Sequence, residues 1–115
     1  MKPPPFDADI RQLSGAATID LHGEVNAFAE SALMQTYNEA LEISPASIVL
    51  NFNDVNYINS TGIALIVNLL AQARKNHTKL SVYGLSEHYV HIFEITRLVD
   101  FMSIFPDEES ALENI

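Results

Sequence analysis

The sequence predicts an α/β domain: a small, mixed, mostly parallel β-sheet that begins with a hairpin and is covered by about four helices. Three observations carry this. Two runs of strict apolar–polar alternation flank a Ser-Gly pair near the start of the chain. Two short continuous apolar runs, Ser47–Phe52 and Leu80–Tyr83, read as strands buried on both faces. Segments with apolar residues at helical spacing stand between and after those runs. A hairpin followed by alternating helix and strand places the strands side by side in one mostly parallel sheet.

Element by element, Pro3-Pro4-Pro5 predicts an extended tail over residues 1–5. Phe6, Ala8 and Ile10 alternate with Asp7, Asp9 and Arg11; after the Ser14-Gly15 turn, Ala17, Ile19 and Leu21 alternate with Thr18, Asp20 and His22. A helix is expected from about Asn26, its N-cap, to Glu42, with Ala29, Ala32, Leu33, Thr36, Ala40 and Leu41 on one face and Pro45 preventing continuation. Asn53–Asn59 reads as a connecting segment with Val55, Tyr57 and Ile58 packed inward. A second helix starts near Ser60 and ends near Asn76; Ile63, Leu65, Ile66, Val67, Leu69 and Leu70 make it apolar nearly all round, so its first turns are expected to be deeply buried. Arg74, Lys75 and His77 suit the negative end of its dipole. Gly84 closes the Leu80–Tyr83 strand, and Ser86 caps a third helix from Glu87 to about Thr96 with Val90 and Phe93 inward. A short strand over Met102–Phe105 and a last helix, capped by Asp107 and containing Ala111 and Leu112, complete the order.

A chain of 115 residues, 48% of them apolar, is one domain's worth of protein, taken as residues 1–115. It has no cysteine, which removes disulfides, thiol nucleophiles and cysteine metal sites. Met1-Lys2 and the prolines lack the apolar core of a signal peptide, and the longest apolar stretch, Gly62–Val67, is far short of a membrane span. A cytoplasmic location is therefore expected. The net charge of −9 repels nucleic acid phosphates and anionic lipid, so neither is an expected partner. A protein partner with a basic face fits such a surface, and so does simple solubility.

Catalytic signatures are few. The four glycines form no phosphate-binding loop. His88 and His91 share a helix face without a third ligand nearby, and His22 and His77 read as solvated. No cofactor or metal site is expected. One segment stands out, Leu50 to Ile63, where a buried strand delivers Asn59-Ser60-Thr61-Gly62 to a helix start. Three successive capping side chains can simply satisfy orphan amides. The same geometry also tolerates a phosphate on Ser60, because free amides and the dipole stabilise an anion at a helix start. The added charge of about −1.5 to −2 at a docking face would oppose binding without refolding. Residue types alone leave both readings open.

Asp54-Val55-Asn56-Tyr57-Ile58-Asn59-Ser60-Thr61-Gly62, followed by apolar residues, resembles the phosphorylation loop of STAS domains, most closely the bacterial anti-sigma factor antagonists. The resemblance covers nearly the whole chain. Gly23-Glu24-Val25-Asn26 resembles the family's turn after its second strand, and Ser47–Phe52 its central strand. It implies partner switching. The unphosphorylated antagonist binds an anti-sigma factor that is also a GHKL-type serine kinase, and so frees a sigma factor. That kinase phosphorylates the serine matching Ser60, and a metal-dependent serine phosphatase resets the switch. Nucleotide and metal belong to those partners, and the chain itself is not an enzyme.

Position by position, Ser60 matches the phosphoacceptor, Thr61 and Gly62 the two residues after it, and Asp54 an acidic position at the strand end. Asn26 falls where the family often has an aspartate near the partner surface, so Asn26, Asp54, Asn59, Thr61 and Gly62 are the expected partner-binding set. Gly62 either lets a partner approach closely or is a packing glycine. Two departures matter. Asn59 stands where many antagonists have aspartate, which removes a charge beside the acceptor. Arg97 stands where glycine is frequent after the third helix, and a different cap or a longer helix is expected there. Alternative readings are a STAS partner switch acting on a non-sigma target, a small-molecule-binding module, and a small enzyme or phosphocarrier with Ser60 as nucleophile, which would need a base beside it.

Overall fold

The computed structural model describes residues 6–43 and 45–114, so the expected Pro3–Pro5 tail lies outside the described residues. The elements are β1 (Asp7–Leu13), β2 (Ala16–Val25), α1 (Glu30–Glu42, entered through a 3-10 turn at Ala27–Ala29), β3 (Ser47–Ile58), α2 (Ser60–Lys75), β4 (Lys79–Tyr83), α3 (Glu87–Ile95), β5 (Ser103–Phe105) and α4 (Glu108–Glu113). The sheet runs in sequence order, β1 to β5; β1 and β2 are antiparallel and every later pair is parallel. The expected mixed, mostly parallel sheet with an N-terminal hairpin and four helices is what forms. Ser14 and Gly15 both have positive φ (52° and 82°), the mirror-image turn geometry that matches strand twist in a two-residue hairpin.

Period-2 alternation sends Ala17, Ile19 and Leu21 to the face where Ile48, Leu50, Phe52, Leu80 and Val82 also point. On that face α1, α2 and α3 bury Leu33, Tyr37 and Ala40, then Leu65, Ile66, Leu69 and Ala73, then Phe93, in one core. Among the described residues the opposite face is covered only by α4, over a smaller cluster of Ala16, Val49, Tyr83 and Ala111. There Arg11 joins the layers: its guanidinium donates to Asp20 on β2 (2.6 and 2.8 Å) and to Glu108 on α4 (2.9 Å). The Arg11 hydrogen bonds hold the Asp20 carboxyl below the usual carboxylate range, and burial pushes Tyr83 up to about 12.

Four expectations are corrected. Asn53–Ile58 is not a connecting segment: β3 continues through it, past the end of β4, paired with β2 alone. Its two register shifts insert extra residues on β3, bulges that bend an otherwise regular ladder. Tyr57 does not pack inward but is 50% exposed. The first turns of α2 are half buried, since Ser60, Thr61, Ala64 and Val67 all face outward. Arg97 does adopt the left-handed conformation (φ 66°), with α3 ending at Ile95. Its Nε donates to Asp100 Oδ2 (2.9 Å), and its carbonyl accepts the Asp100 N–H (3.1 Å), contacts that offset the strain of a side chain in that region.

Candidate functional site

At the C-terminal end of the parallel strands, two chain segments converge on one backbone carbonyl. Val25 is the last residue of β2 and pairs with Ile58, the last of β3. The Val25 oxygen accepts the Asn59 N–H (3.2 Å). Gly62, in the first turn of α2, packs against the same group: a Cβ there would lie 2.0 Å from Val25 O and 2.9 Å from Ile58 Cγ2. The missing side chain is thus used inward, because only glycine lets the helix sit this close to the strand end. Gly62 is buried, so of its two expected roles the packing one is the one this contact fills.

Asn59 is extended (φ −90°, ψ −177°) and caps α2: Oδ1 accepts the Gly62 N–H (2.8 Å), and its carbonyl accepts the Ile63 N–H (2.9 Å). One cap does the work for which three were available. Ser60 and Thr61 are exposed, and no described side chain hydrogen-bonds the Ser60 hydroxyl. The site therefore offers an exposed hydroxyl at the positive end of a 16-residue helix, on backbone fixed from below. A third tie comes from α3, whose Tyr89 hydroxyl accepts the buried Ile58 N–H (2.8 Å).

Asn26 directly follows Val25. It caps the 3-10 turn rather than α1 itself, with Oδ1 accepting the Phe28 N–H (2.9 Å), and its Nδ2 donates to Glu24 (3.4 Å). The turn holds Phe28 out in solvent, 92% exposed. The Val25 joint thus brings Asn26, Asn59, Ser60, Thr61 and Gly62 together. It does not include Asp54, which sits four residues before the end of β3, roughly 13 Å down the strand. Asp54 instead accepts from His22 Nδ1 (2.8 Å), while His22 Nε2 faces Asp9 (3.4 Å). The Asp54 hydrogen bond raises the His22 pKa, and the charges of Asp54, Asp9 and Asp7 add to it. His22 is accordingly a bridge across three strands, not a merely solvated residue.

Sequence reasoning missed Val25, Phe28 and Tyr89. Val25 acts through a carbonyl, which no side-chain pattern reveals. Tyr89 sits at helical spacing from Phe93 and reads as ordinary core. Phe28 carries a usable signal, a lone aromatic two residues after a capping asparagine. Among the described residues no group of three metal-ligating side chains occurs, and no helix is long and apolar enough to cross a membrane.

A family model described as the STAS domain matches residues 7–111. The anti-sigma-B factor antagonist of Bacillus subtilis (strain 168) is 24% identical over 108 residues, covering 94% of this chain and 98% of that protein. The fold is similar to the crystal structure of an anti-sigma factor antagonist from Mycobacterium paratuberculosis (TM-score 0.81, 18% identity, 94% of this chain and 92% of that one). It is also similar to SpoIIAA, a Bacillus cell fate determinant, in its phosphorylated form (TM-score 0.70, 18% identity, 92% of this chain and 96% of that one).

Proposed function

Since the chain belongs to the STAS domain family, we propose that it is a cytoplasmic, non-enzymatic anti-sigma factor antagonist switched by phosphorylation of Ser60. The unphosphorylated form binds an anti-sigma factor, a GHKL-type serine kinase, and thereby releases the sigma factor. Transfer of a phosphoryl group to Ser60 ends that binding, and a metal-dependent serine phosphatase restores it. Asn26, Asn59 and Thr61 border the docked surface, with Asp54 further down β3.

The observation that carries the reading is Ser60 itself: exposed, first in a long helix, and free of the capping duty that Asn59 performs. The family relatives named as antagonists of an anti-sigma factor support it. A phosphate at that position meets free amides and needs no refolding. It does add about −1.5 to −2 charges, with tightly held water, to a surface that must be desolvated on docking. No described histidine or lysine hydrogen-bonds the Ser60 hydroxyl, which favours a passive acceptor over a nucleophile with its own base. Asn59 in place of aspartate leaves the acceptor's neighbour uncharged, so recognition by the kinase falls on backbone shape and on the turn at Asn26.

The test is phosphorylation by the purified anti-sigma factor kinases of the host. Ser60→Ala abolishes incorporation by the cognate kinase, read by intact mass; unchanged incorporation would refute the site. Ser60→Glu weakens kinase binding at least about tenfold, read by calorimetry, and unaltered affinity would refute the charge switch.

A further inference from the structure

The end of the molecule that carries Ser60 has two properties that the switch does not require. Phe28 is 92% exposed, the most exposed large apolar side chain among the described residues. It is not on a slack loop: the Asn26 carboxamide holds its amide, and the Ala29 N–H donates to the Asn26 carbonyl (3.0 Å). An aromatic on a fixed backbone has only two side-chain torsions left to order on docking and presents a large apolar area, which is how binding hot spots are built. Tyr57, beside Glu24 across the ladder, is half exposed at the same end.

The second property is charge. Acidic residues occur at both ends of the molecule, but topology keeps the described cations away from the Ser60 end. Glu24 nearly ends β2, Glu30 opens α1 and Glu87 opens α3, all at the C-terminal end of the parallel strands. The cations lie elsewhere. Arg74 and Lys75 close α2, Lys79 opens β4 and Arg97 follows α3, all at the opposite end. Arg11 is committed to Asp20 and Glu108 across the sheet. Among the described residues no arginine or lysine stands at the Ser60 end.

We infer that Phe28 is the anchor of the docked complex, seated in an apolar pocket of a protein partner whose pocket rim carries arginine or lysine. The inference rests on the function proposed above and specifies the partner's chemistry at that same surface. Phe28 supplies the tight contact, and Glu24, Glu30 and Glu87 steer the encounter. It also assigns the off-switch a short range. An end already acidic attracts a basic partner, so a phosphate on Ser60 acts by blocking the seating of the adjacent Asn26–Phe28 turn, not by reversing the long-range field.

The experiment measures binding of the wild type and of Phe28→Ala to each purified anti-sigma factor serine kinase of the host, at 50 and 300 mM salt (about a 14 versus 6 Å screening length). Circular dichroism of Phe28→Ala should match the wild type with the same thermal midpoint, because the side chain touches little. The expected result is a cognate kinase that Phe28→Ala binds about thirtyfold more weakly, with wild-type binding at least about fivefold weaker at the higher salt. A loss under tenfold overturns the anchor and leaves the Ser60 switch standing. Salt-independent binding overturns the basic rim. Absence of binding and of Ser60 phosphorylation with every kinase removes the proposed function and this inference with it.

Discussion

Gly62 shows how one residue sets the site. A methyl group there would overlap the Val25 carbonyl, which is backbone paired into the sheet and cannot swing aside. Gly62→Ala should therefore cost about 1–3 kcal/mol as an overpacking change, measured by urea denaturation. A neutral result would mean that α2 shifts freely on the strand end. This was only half legible in the sequence. The Asn-Ser-Thr-Gly run marked a helix start, and the resemblance marked Ser60. Which of three capping side chains caps, and which way the glycine's bare face points, depend on how closely α2 approaches β2. That distance is a tertiary quantity with no sequence signature. Arg97 is the converse case. The family's frequent glycine there raised the left-handed position, and arginine was expected to avoid it through a different cap or a longer helix; Asp100, three residues on, supplies the hydrogen bond that makes arginine tolerable instead.

Among the elements, the β2–β3 extension governs the site, and it was the worst read. Asn53, Asp54 and Asn56 are poor strand formers, so the segment looks like a loop. It is a strand because Gly23, Glu24 and Val25 each keep a partner on β3 and two bulges absorb the mismatch in length. By contrast, the hairpin and the central strands were legible, since their patterns come from burial on the faces the fold then uses; α2 was legible in its bounds but not in the burial of its first turns. The extension is held to the helical layer by Tyr89, whose hydroxyl satisfies the buried Ile58 amide. Tyr89→Phe leaves that donor unpaired and should cost about 1–2 kcal/mol. Native-state hydrogen exchange should show the Ile58 amide opening faster while mid-β3 amides such as Leu50 keep most of their protection. Uniform loss across β3 would place the effect in global stability instead.

At the scale of the whole molecule, two sets of titrating groups bracket its stability. The folded Asp20 and Asp107 lie below their ordinary value of 3.8, Asp20 through Arg11 and Asp107 through the Ser110 amide it caps. Their stabilisation is complete above that value and is lost as pH falls through the folded ones. The folded His22 lies above its ordinary 6.5. Its stabilisation is complete below 6.5 and is lost as pH rises through the raised value. Both sets act together between roughly pH 4.5 and 6.5, where the net charge of −9 at neutrality also begins to relax. The thermal midpoint should peak in that window, and His22→Gln should flatten the alkaline side without moving the acid side. An unchanged alkaline slope in His22→Gln would assign it to carboxylate repulsion alone.

The sheet's two unequal margins have a consequence for how this chain behaves in a crowd of its own kind. The β5 margin is three residues long, too short to template another strand. The β1 margin is seven residues long and does present a row of backbone groups to any extended chain. Exposed Asp7 and Asp9 alternate with its apolar residues, so a second copy sliding alongside would set like charges against each other. The acidic residues that open β1 thus disfavour the growth of a continuous sheet from copy to copy along this margin.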